Sequence, residues 1–99
     1  MKGVVWGSTF ERAVQKLEHI EHRYQSLFIS IEKKIKSENE YLIIFENGDI
    51  WRATTAFESK RQRCNISYID TQIDTIFVEQ VIKPVTTCPP YNAIQYYSI

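Results

Sequence analysis

The chain has 99 residues, of which 43% are hydrophobic and 24% are charged. This length allows one hydrophobic core and excludes a pair of domains, and the composition is typical of a folded globular protein. Twelve basic and twelve acidic residues cancel to a formal net charge of zero, so no overall field draws the chain to nucleic acid or to an anionic membrane. We expect a single domain over residues 1–99.

Cysteine and histidine are too sparse to form a disulfide framework or a metal site. Cys64 and Cys88 lie far apart and match no ligand spacing, so we expect both thiols to be reduced. His19 and His22 are three residues apart on a predicted helix, which is typical of a solvated helix face. No stretch approaches the ~18 apolar residues of a membrane span. We therefore expect a cytoplasmic protein without metal, cofactor or membrane contact.

The first third of the chain predicts a strand followed by a helix. Residues 2–6 (KGVVW) form a short run led by β-branched residues, which favours a buried strand. Ser8 precedes Glu11 by three residues, the pattern of a capping box that starts a helix. Apolar residues then recur with helical spacing as far as Leu27, so this helix should cover one side of a sheet. Residues 30–39 are polar and fit a helix tail, an edge strand or a loop.

A β-hairpin is predicted around Asn47-Gly48, since this pair tolerates the positive φ angles of a two-residue type I′ turn. Its strands are residues 41–46 and 49–55.

Further elements follow the hairpin. Residues 65–69 predict another strand, residues 75–83 a helix that Pro84 ends, and residues 93–97 a last strand. The fold class is therefore α/β, with a small mixed sheet, a hairpin and two main helices. We expect the strands at residues 2–6 and 65–69 to be parallel and the hairpin to extend their sheet.

Asp70 stands at the carboxyl end of the predicted strand 65–69. P-loop ATPases present an aspartate in this way to the magnesium ion of a bound nucleotide, because open α/β sheets bind ligands beyond the carboxyl ends of their strands. Aspartate at a strand end also commonly caps the following turn. Both interpretations remain open from the strand alone.

The order of these elements resembles the region around Walker B in phage terminase large subunits. The residues that carry the resemblance lie within 3–84: the strand and Ser8-Thr9, the amphipathic helix, Asn47-Gly48-Asp49-Ile50, Arg61-x-Arg63, Ile69-Asp70, and the helix to Pro84. The resemblance implies part of a P-loop ATPase core, with Asp70 at the Walker B position. It also implies a phage or prophage protein located in the host cell.

Two departures from the family pattern argue against ATP hydrolysis by this chain alone. The family has a glutamate after the aspartate, whereas Thr71 offers a neutral hydroxyl, a poor general base. Residues 3–9 (GVVWGST) lack the lysine of a phosphate-binding loop and are one residue short. We therefore expect no catalytic residues and a role in binding a protein partner or in oligomerisation. The alternative is a composite nucleotide site in which Asp70 binds magnesium and another chain supplies the phosphate loop.

Two further groups of residues suggest surfaces for partners. Basic residues with nearby aromatic and basic side chains would suit phosphates and stacked bases, although a solvated loop fits them too; the candidates are Lys60, Arg61, Arg63, Trp51 and Arg52. The uncharged tail contains Tyr91, Tyr96 and Tyr97, which are expected either in the core or at an interface.

Overall fold

The chain folds into a six-stranded mixed sheet with helices on both faces. The computed structural model describes residues 1–55, 63–86 and 93–98. The strands are β1 (Lys2–Gly7), β2 (Ile31–Lys36), β3 (Tyr41–Phe45), β4 (Ile50–Thr55), β5 (Ile66–Asp70) and β6 (Ala93–Tyr97). The helices are α1 (Phe10–Ser26), α2 (Thr75–Phe77) and α3 (Lys83–Val85), and a π-helical turn (Val78–Ile82) joins the last two into one helical segment, residues 75–85.

The sheet has the strand order β2-β3-β4-β1-β5-β6. β1 pairs in parallel with both β4 and β5, and β6 is parallel to β5. The strands β2, β3 and β4 form an antiparallel meander. The predicted α/β class, the parallel pairing of the first strand with the strand before Asp70, and the extension of the sheet by the hairpin are thus confirmed.

The core has one layer on each face of the sheet. On one face, Leu17 and Ile20 of α1 belong to a buried cluster with Val5 and with residues of β3 and β4. On the other face, Val78 and Ile82 of the 75–85 segment belong to a second cluster with residues of β1 and β5. β1 is therefore buried on both faces, which explains why its sequence is an apolar run rather than an alternating one.

The ends of two helices differ from the sequence prediction. The N-cap of α1 is Thr9, whose side chain accepts a hydrogen bond from the Arg12 backbone N–H at 3.3 Å, so the capping box starting at Ser8 is wrong. Pro84 lies inside α3 and does not end the helix before it. The helical segment is continuous across this boundary: the Lys83 N–H donates to the Val78 carbonyl five residues back, and Pro84, which has no N–H, cannot continue that pattern.

The ambiguous segment 30–39 contains the edge strand β2, and the hairpin turn also differs from the prediction. Gly48 has a positive φ of 93°, whereas Asn47 does not adopt positive φ. The Gly48 N–H donates to the Phe45 carbonyl, and the Phe45 N–H donates to the Asp49 carbonyl. This is a three-residue loop with a glycine bulge rather than a type I′ turn. The Asn47 side chain accepts from the Asp49 N–H at 3.0 Å, which stabilises this conformation.

Replacing Gly48 tests the turn. A Cβ at Gly48 would meet no atom within 4 Å, so the penalty comes from the backbone angle alone. We expect Gly48→Val to lower the free energy of unfolding by roughly 1 kcal/mol or more, measured by urea denaturation. Glu46→Val, in the same exposed loop, is the control and should have a smaller effect. Equal stabilities of the two variants would contradict this account of the turn.

Candidate functional site

The candidate site lies where the carboxyl ends of β1 and β5 meet. Parallel pairing of these strands brings the turn after β1 next to Asp70, the last residue of β5. Asp70 has no exposed surface, although its side chain is a carboxylate. A buried charge of this kind is stable only when it is paired and hydrogen-bonded.

Both carboxylate oxygens of Asp70 are fully engaged within the chain. Arg12 binds in a bidentate manner, with Nε 2.6 Å from Oδ2 and an Nη 2.9 Å from Oδ1. Ser8 donates to Oδ2 from its hydroxyl at 2.7 Å and from its backbone N–H at 3.0 Å. The Gln72 backbone N–H donates to Oδ1 at 3.0 Å. A carboxylate offers about four lone-pair positions, so these donors saturate it.

This environment fixes the charge state of Asp70. Burial by itself opposes ionisation, but the ion pair with Arg12 and the hydrogen bonds from Ser8 and Gln72 outweigh it and hold the pKa of Asp70 far below its usual value. The same ion pair raises the pKa of Arg12. The pair is therefore charged on both sides throughout the physiological pH range.

Chemically, the site is a closed ion pair rather than an open metal site. A magnesium ion could reach the Asp70 oxygens only by displacing Arg12 or Ser8. The next residue, Thr71, is exposed, and its backbone N–H donates to the Tyr97 carbonyl at 3.0 Å. Among residues 1–55, 63–86 and 93–98, no group of three metal-ligating side chains is found.

The described members of the predicted nucleic-acid group, Trp51, Arg52 and Arg63, differ in their exposure and in the face they occupy. Trp51 is only 3% exposed and its indole N–H donates to the Tyr24 hydroxyl at 2.9 Å, so it belongs to the core and cannot stack on bases. The prediction that Trp51 contacts nucleic acid is therefore wrong. Arg52, the next residue along β4, points to the opposite face of the sheet. Arg63 is exposed, while Lys60 and Arg61 lie outside the described residues.

The C-terminal tyrosines have different environments. Tyr97 is buried, and its hydroxyl donates to the Trp6 carbonyl at 2.9 Å, whereas Tyr96 is 58% exposed. Because β6 pairs with β5, this part of the tail packs on the chain's own sheet. Tyr91 lies outside the described residues.

The remaining sequence predictions concern cysteine, histidine and the membrane. Cys64 is a free thiol, in line with the predicted reduced state, and it is buried; Cys88 lies outside the described residues. His19 and His22 are exposed on α1. None of the described helices is long and apolar enough to cross a membrane.

Sequence reasoning misses Ser8 and Arg12 as partners of Asp70. The local pattern assigns Ser8 to the helix cap, and Arg12 lies outside the apolar stripe of α1, so neither is marked as a partner of Asp70. The sequence signal that could have identified them is the spacing of Ser8 and Arg12. Residues four apart at the start of a helix lie on the same side of that helix. A strand-end aspartate in a parallel sheet faces the start of the neighbouring helix.

Comparison with known proteins supports the fold. No family model matches the chain, and no curated protein matches it. The chain superposes on the structure of a large terminase from a thermophilic bacteriophage with a TM-score of 0.68 and 12% sequence identity, over 98% of this chain and 24% of the terminase chain. The terminase-like fold is thus shown, over about a quarter of the terminase's length. The Walker B role of Asp70 stays a prediction.

The Asp70 ion pair predicts a specific acid sensitivity. The folded pKa of Asp70 lies below its unfolded value of about 3.9, so its stabilising contribution is complete above about pH 4 and is lost as the pH falls further. We expect wild type to exceed Asp70→Asn in free energy of unfolding at pH 7, with a smaller difference at pH 3. Urea denaturation at both pH values measures this.

The control for this prediction is Asp74→Asn. Asp74 is an exposed N-cap that accepts from the Ile76 N–H, and asparagine caps helices as well as aspartate does. This variant should follow the wild-type pH dependence. If the difference between wild type and Asp70→Asn is the same at pH 3 and pH 7, the ion pair does not stabilise the fold as described.

Proposed function

We propose that this chain is a phage or prophage domain with a terminase-like fold that does not hydrolyse ATP by itself and acts by binding a protein partner. The observation that carries the proposal is the saturation of Asp70 by Arg12, Ser8 and the Gln72 N–H. In an ATPase of this fold class, the carboxylate at this strand end must be open to a magnesium ion.

The surrounding residues support the same conclusion. A phosphate-binding loop directs its backbone N–H groups and its serine or threonine hydroxyl toward phosphate and magnesium. Here the Ser8 N–H and hydroxyl are directed to Asp70 instead. Thr71 occupies the position after Asp70, where a general base is needed to activate water, and its hydroxyl is poorly suited to that task.

A protein partner is supported by the exposed apolar end of α1. Phe28 is 95% exposed and Leu27 is 64% exposed. Phe28 also has a φ of 60°, and it alone among the described non-glycine residues has a positive φ. A bulky residue in this conformation is strained, and an adjacent exposed apolar pair marks a protein contact. The positive φ ends α1 in a Schellman motif, in which the Phe28 N–H donates to the Gln25 carbonyl and the Ile29 N–H to the Tyr24 carbonyl. That motif does not require exposed apolar side chains at Leu27 and Phe28, and it is their exposure that favours a partner with an apolar pocket.

ATP hydrolysis is the first test. We expect phosphate release by the purified chain with ATP and Mg²⁺ to equal the background without protein, because Arg12 keeps Asp70 from the metal. Asp70→Ala and Arg12→Met are measured alongside. Magnesium-dependent phosphate release that disappears in Asp70→Ala would contradict the proposal. Broadening of Asp70 and Ser8 NMR signals by Mn²⁺ in the wild type would favour the composite site instead.

The strain at Phe28 is tested separately. Asparagine tolerates left-handed backbone angles, and the exposed ring of Phe28 buries little surface in the isolated chain. We expect Phe28→Asn to be more stable than Phe28→Ala by up to about 1 kcal/mol, since alanine removes the ring but retains the strain. Thermal and urea denaturation measure the difference. A less stable asparagine variant would show that the conformation at this position carries no penalty.

A further inference from the structure

The described residues leave one half of the sheet face opposite α1 partly open. The 75–85 segment packs on this face over β1 and β5, where the second core cluster lies. Over β2, β3 and β4, the same face presents Ile35, Leu42, Ile44 and Ile50. These side chains are partly exposed and belong to neither core cluster. We call these four residues the aliphatic face.

The sequence of β3 indicates that this face is covered by a further layer. An antiparallel strand with one solvent-exposed face normally alternates apolar and polar residues, whereas β3 is apolar at every position (YLIIF). On the face that α1 covers, β3 contributes three fully buried side chains, Tyr41, Ile43 and Phe45. Leu42 and Ile44 have no such layer among the described residues. An apolar residue at both positions fits a strand that is covered on both sides.

Three cations lie on the same face of the sheet as the aliphatic face. Register places Lys33 opposite Ile44, Arg52 opposite Leu42 and Lys2 opposite Ile50, on the same face. None of these three side chains has a carboxylate partner among the described residues. On the other face, by contrast, Lys34 pairs with Glu21 at 2.8 Å and Lys36 pairs with Glu18 at 3.0 Å. Within the described ranges, the cations of this face have no internal acidic partner, which suits binding of an acidic group from a partner.

A groove of about 150 Å³ runs between the aliphatic face and β1. It is lined by Lys2, Gly3, Val4, Leu42, Ile50 and Arg52. This lining has aliphatic side chains and cations but no aromatic ring. Single-stranded nucleic acid is held by stacking on aromatic rings in addition to cations, so the lining favours a protein ligand.

We propose that the aliphatic face and its three cations bind an amphipathic helix of a protein partner, with an apolar stripe flanked by carboxylates. This inference rests on the proposed function in that it names the kind of partner. A helix fits because the site is on a sheet face rather than at a strand edge, and because the described core clusters are formed by helices that pack on the two faces of this sheet. Lys2, Lys33 and Arg52 then pair with the flanking carboxylates.

The test uses a synthetic 18-residue helical peptide with a leucine stripe flanked by glutamates. Its controls are a peptide with lysines in place of the glutamates and a scrambled acidic peptide. Binding to the full chain is measured by fluorescence anisotropy and mapped by NMR on the ¹⁵N-labelled protein. We expect saturable binding of the acidic helix alone, with shifts centred on Leu42, Ile44 and Ile50.

Charge-reversed variants test the three cations. Lys33→Glu, at an exposed position, should weaken binding by about tenfold, and Arg52→Glu should do the same. Arg23→Glu, at an exposed position of α1 on the other face, should leave the affinity unchanged. Retained affinity in both cation variants, equal binding of the lysine peptide, or shifts confined to other surfaces would overturn the inference. So would displacement of the peptide by a DNA oligonucleotide.

The two proposals fail in different ways. The ATPase assay is run on the same preparation as the peptide titration. Absence of peptide binding without ATPase activity overturns the helix-binding face and leaves the non-hydrolytic assignment intact. Magnesium-dependent hydrolysis overturns the proposed function, whatever the peptide result.

Discussion

The buried carboxylate of Asp70 constrains the geometry of the whole parallel half of the sheet. A charge without exposed surface has to be paired, so Ser8 and Arg12 must approach the end of β5 closely. This requires a sharp turn between β1 and α1. Gly7 permits it, because a Cβ at that position would lie 2.3 Å from the Thr9 carbonyl oxygen and 2.7 Å from the Ala13 nitrogen. The ion pair, the turn and the orientation of α1 therefore depend on one another.

A second buried polar network secures the opposite face of the same strands. The Trp6 indole N–H donates to the Ser67 hydroxyl at 3.1 Å, and the Ser67 and Thr86 hydroxyls are 2.7 Å apart. Thr86 donates to the Ile82 carbonyl, so the network connects β1 and β5 to the end of the 75–85 segment. Buried hydrogen bonds thus fix how the strands and helices of the parallel half pack together. In the described part of the antiparallel half, the side-chain hydrogen bonds that run to α1 are only partly buried, as in the contacts of Trp51 with Tyr24 and of Tyr24 with Asp49. The face of this half opposite α1 is the one that the described residues leave partly open.

Local sequence patterns predicted the strands and the hairpin but not the long-range contacts of the site. The apolar runs of β1 and β3 and the pair Asn47-Gly48 are local signals, and each corresponds to an observed element. β2 stayed ambiguous because Ile31 and Ile35 are four residues apart, a spacing that fits one face of a helix. A bulge between Ile31 and Lys33 instead turns them to opposite faces of a strand. Arg12 and Asp70 are 58 residues apart. Their pairing depends on strand order, and the local capping pattern at Ser8 favoured the wrong partner.

The ion pair lies away from the two surfaces that are proposed to bind a partner. Asp70 and Arg12 neutralise each other at the strand ends, so this edge needs no external cation to be stable. The aliphatic face lies on the antiparallel strands. Phe28 follows the C-terminal end of α1, whereas Arg12 lies near its N-terminal end. A partner at either surface would leave the Asp70 contacts intact, whereas a magnesium ion at Asp70 would have to break the contacts that hold α1 to β5. Binding at the surfaces is therefore compatible with the folded state as it stands, and metal binding at the strand end requires part of that state to be rearranged first.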